Sequence, residues 1–99
     1  MANAFEFGQG NGWPGIAKLM EEAGEVVQVC AKLVMTDGSS DHWDGSKLDA
    51  RLADELGDLL AAINFVLAHC PQIDVARVMR QSESKLARFE AWHAKPMLP

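Results

Sequence analysis

From residue 16 to residue 34 the apolar side chains return every three or four positions: Ile16, Leu19, Met20, Ala23, Val26, Val27, Cys30, Leu33 and Val34. An α-helix gathers residues at that spacing on one side, whereas a half-buried strand needs alternation at every second position. The same period returns in Leu48, Leu52, Leu56, Leu59, Ile63, Val66 and Leu67, and again in Val75, Val78, Met79, Leu86, Phe89 and Trp92. No stretch alternates as a strand does, and no segment repeats another. The expected fold is therefore all-α, with three main helices in an antiparallel bundle. At 99 residues the chain makes a single domain.

Punctuation residues set the expected boundaries. Pro14 suits the first turn of a helix, which should run over 14–35. The run 36–41, Thr-Asp-Gly-Ser-Ser-Asp, breaks it, with Gly38 at a turn. Ser46 followed by Asp49 resembles a capping box and starts a second helix over 47–69. Pro71 stops it, because the residue before proline disfavours helix. Asp74 caps a third helix reaching about residue 93. Residues 1–13, with Gly8, Gly10 and Gly12, should be irregular, and 94–99, with Pro96 and Pro99, non-helical. The first two helices are apolar over arcs wider than one neighbour covers. Oligomerisation, to a homodimer or a tetramer, is expected to complete the bundle.

Two acidic pairs sit within these helices. Glu22 and Glu25, preceded by Glu21, lie in the first, and Glu55 and Asp58 in the second. Carboxylates three residues apart on a helix point to nearly the same side. On a wheel of about 100° per residue, Glu22 falls between Val29 and Leu33, and Glu55 falls among Leu48, Leu52, Leu59 and Val66. Glu25 and Asp58 lie at the rims of the apolar faces, and Glu21 further out. A solvated charge run would place its acids opposite the apolar stripe. Burying a carboxylate without a partner costs several kcal/mol or forces its protonation. Cation binding removes that cost, and all-oxygen donors select Mg²⁺, Mn²⁺ or Ca²⁺. Glu21, Asp49 and Asp54 suit ordinary surface pairing with Lys18, Lys32 or Arg51. His42, His69 and His93 stand at the wrong offsets for a ferritin-type Glu-x-x-His site, and zinc has no CxxC pair to hold it.

Charge and cysteine usage exclude several classes. The net charge of −5 argues against general nucleic-acid binding. No stretch is apolar enough to span a membrane, since Asp54, Glu55 and Asp58 interrupt the most hydrophobic one. Residues 1–5 lack the basic and apolar run of a signal peptide. Cys30 and Cys70 fall in apolar stretches and are expected to be buried, reduced thiols, consistent with a cytoplasmic protein. Five of the nine Lys and Arg residues lie late in the chain: Arg77, Arg80, Lys85, Arg88 and Lys95. Arg80 and Lys95 read as a solvated face. Lys85 and Arg88 suit phosphate oxygens, one as a point charge and one as a fork.

The pattern Glu-Glu-Ala-Gly-Glu-Val at 21–26 followed by Glu-Leu-Gly-Asp-Leu-Leu at 55–60 resembles the MazG-like all-α nucleoside triphosphate pyrophosphohydrolases. That superfamily also includes dimeric dUTPases and phosphoribosyl-ATP pyrophosphohydrolase. The resemblance covers roughly residues 15–92 and extends to a Lys-x-x-Arg pattern at Lys85 and Arg88 and to Asn64 after the second acidic pair. It departs at Glu83, where many relatives have Asn. It implies Mg²⁺-dependent cleavage between the α- and β-phosphates of an NTP or dNTP, giving a nucleoside monophosphate and pyrophosphate. Glu22, Glu25, Glu55 and Asp58 would hold Mg²⁺, with Mn²⁺ an alternative. Glu21 and Glu22 would be the catalytic carboxylates, Glu21 as proton acceptor. Lys85 and Arg88 would meet the leaving pyrophosphate, Asn64 the base or sugar, and Trp13 or Trp43 would stack on the base. The rival expectation is a non-catalytic helical module that binds a nucleotide or a protein, its carboxylates holding a structural cation.

Overall fold

The computed structural model describes residues 12–36 and 47–95. They form three helices, α1 (Ile16–Met35), α2 (Leu48–His69) and α3 (Val75–Ala94), and no strand among the described residues. Ser46 and Trp43 lie outside the described residues, so the expected Ser46 cap does too.

Pro14 precedes α1 and is not part of its first turn. Gly15 sits between them at φ 88, a left-handed conformation that cannot belong to a right-handed helix and that glycine adopts without steric cost. The first helical hydrogen bond then runs from the Leu19 N–H to the Gly15 carbonyl, 2.9 Å. At the start of α2 the flanking Lys47 supplies no side-chain cap. Asp49 Oδ1 accepts from the Ala50 N–H instead, 2.9 Å. The end of α2 is held by the Cys70 N–H on the Val66 carbonyl, 2.9 Å, just before Pro71. Asp74 caps α3, accepting from the Arg77 N–H at 3.1 Å.

Helices α1 and α2 pack on each other. Their buried residues are Val29, Leu48, Ala62 and Val66, with Cys70 just beyond α2. The start of α1 lies against the end of α2. Cys70 Sγ donates to the Pro14 carbonyl at 3.3 Å, and Gln72 Nε2 donates to the Gly12 carbonyl at 2.9 Å. These two bonds lash the segment before α1 to the turn after α2.

Helix α3 packs along neither partner and buries none of its residues. The radius of gyration is 17.0 Å, against about 13 Å for a compact chain of this length. Apolar stripes are left uncovered on every helix. On α1, Met20, Val27 and Val34 follow one another at seven-residue spacing and are 72%, 66% and 79% exposed. Leu56 and Leu60 on α2, and Val75, Met79, Leu86, Phe89 and Trp92 on α3, are exposed as well. Cys30 belongs to the α1 stripe and is exposed, which corrects the expectation of two buried thiols; Cys70 alone is buried. No described helix is long and apolar enough to cross a membrane.

Candidate active site on the facing sides of the first two helices

One face of α1 and one face of α2 line a cavity of about 350 Å³. Gly15, Lys18 and Glu22 contribute from the α1 side, at offsets of three and four residues. Asp58, Ala61, Ala62 and Phe65 contribute from α2, again within two turns. The repeat of each helix thus presents its lining side chains in a row. Glu22, Asp58 and Lys18 are the charged residues of its lining, and Gly15, Ala61, Ala62 and Phe65 the apolar ones.

Glu22, Glu55 and Asp58 converge across the helix pair, each offering an oxygen within 4.8 Å of the others. Glu22 and Glu55 are half-buried, and Asp58 is exposed. Partial burial, reinforced by the carboxylates of Asp58, Glu21, Glu55 and Glu25, pushes the Glu22 carboxyl above its ordinary 4.5. Glu55 Oε2 is buried and has no hydrogen-bond partner among the described residues. Buried carboxylate oxygens are normally paired, because an orphaned one forgoes both water and a replacement. A hard cation fits this donor set. It takes oxygen ligands, and octahedral coordination at about 2.1 Å holds ligand oxygens up to about 4 Å apart, close to the spacing present. Glu22, Glu55 and Asp58 are the residues that could hold it.

The other residues expected at the site are dispersed. Glu25 is half-buried one turn along α1 and stands outside the trio. Glu21 is exposed, and its Oε2 pairs with Lys18 Nζ at 3.2 Å. Lys85 and Arg88 are exposed on α3, where Lys85 Nζ lies 5.8 Å from the centroid of the Phe89 ring. Asn64 and Trp13 are exposed and line no part of the cavity. Trp43 lies outside the described residues.

Lys18 and Phe65 escaped sequence reasoning, although their spacing marks them. Lys18 precedes Glu22 by four residues, and Phe65 follows Asp58 by seven, so each shares its acid's face. Asn64 falls one residue short of two turns, which rotates it off that face by about 100°.

The family model for the MazG nucleotide pyrophosphohydrolase domain matches residues 15–91. The chain belongs to this family. No curated protein and no solved structure gives a significant match. The MazG match begins at Gly15, where the left-handed residue hands the chain to α1, and it runs into the last turns of α3. Helix α3 is thus part of the MazG domain although it buries nothing against α1 or α2. The match also takes in both acidic pairs, so the converging carboxylates lie within a domain whose family is one of nucleotide pyrophosphohydrolases.

Proposed function

We infer that the chain hydrolyses nucleoside triphosphates, ribo or deoxy, to a nucleoside monophosphate and pyrophosphate in a Mg²⁺-dependent reaction. The observation that carries this reading is the orphaned Glu55 oxygen within the Glu22–Glu55–Asp58 trio, whose Glu22 and Asp58 line a cavity in a MazG domain. Water supplies the oxygen that bonds to the α-phosphorus, and the bond from that phosphorus to the α,β-bridging oxygen breaks. Bound Mg²⁺, or Mn²⁺, would neutralise the triphosphate and acidify a coordinated water. Glu22, Glu55 and Asp58, with Glu25 one turn on, would hold the ion. Glu21, beside Glu22 but outside the trio, accepts the proton. Lys18, on the cavity wall, faces phosphate oxygens.

Lys85 and Arg88 would offset charge on the departing pyrophosphate. No α3 residue lines the cleft of its own chain, so that role calls for a second copy in an antiparallel bundle completed by oligomerisation. Nucleotides and Mg²⁺ are abundant in the cytoplasm, where we place the activity.

The test is a panel of canonical NTPs and dNTPs with Mg²⁺ or Mn²⁺, with monophosphate and pyrophosphate quantified. Glu22→Gln and Glu55→Gln should each lower turnover by at least about a hundredfold, on the scale of lost electrostatic stabilisation. Release of orthophosphate in place of pyrophosphate rejects the proposed bond, and wild-type rates in both variants reject the site.

A further inference from the structure

We propose that the Phe65 ring is the platform on which the base of the bound nucleotide stacks, and that this stacking, which every base can make, leaves the site open to all four bases. This rests on the nucleotide reading above and goes beyond it to the substrate's other end. Phe65 lines the same cavity as Glu22 and Asp58. It follows Asp58 by two turns on one face of α2, which sets it about 10 Å along the helix axis from that carboxylate at 1.5 Å per residue. A nucleotide whose phosphates meet the acidic trio extends its sugar and base toward Phe65.

The ring is held in place from two directions. His69, one turn further on α2, stacks against it with ring centroids 4.2 Å apart and an interplanar angle of 31°. Gly15 approaches so closely that a Cβ there would lie 2.6 Å from Phe65 Cδ1. A fixed aromatic ring loses little freedom when a second ring lies on it. Gly15, Ala61 and Ala62, which line the same cavity, carry no side-chain donor or acceptor. Every base has a π-face, so a stacking platform accepts all of them. Large discrimination arises where a site is built to hydrogen-bond its ligand, and the side chains of Gly15, Ala61, Ala62 and Phe65 supply no such group.

The experiment is calorimetric binding of α,β-methylene analogues of the four NTPs, and of inorganic tripolyphosphate, to the full chain with Mg²⁺. Wild type, Phe65→Ala and Phe65→Tyr are compared, with far-UV circular dichroism as a check on folding. The expected result is analogue affinities within about tenfold of one another, since stacking tolerates every base. Phe65→Ala should weaken all four analogues by about ten- to a hundredfold, and Phe65→Tyr should restore them. Tripolyphosphate, which has no ring, should bind all three proteins equally. An unchanged analogue affinity in Phe65→Ala overturns the proposal. So does an equal loss for tripolyphosphate, or a preference above a hundredfold for one base. Analogue binding in the expected pattern with no pyrophosphate released from the natural NTPs refutes hydrolysis and leaves Phe65 standing. Pyrophosphate release from the natural NTPs with analogue binding unaffected by Phe65→Ala refutes Phe65 alone.

Discussion

Glu22 and Asp58 show how the same acid type acquires different surroundings from its place on a helix. Glu22 is half-buried with four further acids of its own motif or the facing one nearby, while Asp58 is exposed at the rim yet close enough to share a ligand. The raised Glu22 carboxyl has a thermodynamic consequence. Its folded form holds a proton more tightly than its unfolded form, so it favours the fold at acid pH. That contribution is complete below the ordinary value of 4.5 and is lost as pH rises through the higher folded value. In chelator, the melting temperature of the wild type should therefore fall relative to Glu22→Gln as pH climbs from acid to neutral. Mg²⁺ should reverse the decline in the wild type and not in the variant. Parallel melting curves for the two proteins at every pH, with or without Mg²⁺, would remove the electrostatic account of the cluster.

At the scale of the element, the decisive residue is the glycine between Pro14 and α1. Gly15 is needed twice: its backbone is left-handed at φ 88, and the space beside it belongs to Phe65. Gly15→Ala should cost about 1–3 kcal/mol, combining the left-handed penalty of an L-residue with the displaced ring. Gly57 lies inside α2 with nothing within 4 Å of an added Cβ. Gly57→Ala should instead stabilise by about 0.5–1 kcal/mol. Urea midpoints of the two variants on opposite sides of wild type would bear this out, and a shift in the same direction would not. The glycine also explains the one-sided error in the α1 boundary. Proline fixes its own φ but says nothing of the next residue, and only contact with α2 reveals why that residue must turn the wrong way for a helix. The Asp74 cap, by contrast, was legible, because a cap is satisfied within four residues of its own chain.

Among the described residues the molecule is a helix pair with a third helix that packs along neither. Exposed stripes on α1, α2 and α3, and a radius of gyration of 17.0 Å, leave more apolar surface open than a monomer of this size normally shows. A homo-oligomer is the expected state in solution. Sedimentation equilibrium should return a dimer or a tetramer, and the double variant Val27→Asp, Phe89→Asp should shift the mass toward the monomer and lower the melting temperature. A wild-type monomer at micromolar concentration would contradict the proposal that a second copy covers these faces. The sequence alone settled that the chain is helical, roughly where each helix lies, and which acids sit within apolar faces, because these depend on a period read along one chain. The tertiary structure decided which acids meet, that Lys18 and Phe65 share their cleft, and that Lys85, Arg88 and Asn64 lie off it. Those facts depend on the register between α1 and α2 and on the side α3 turns away from, and no period within a single helix encodes either.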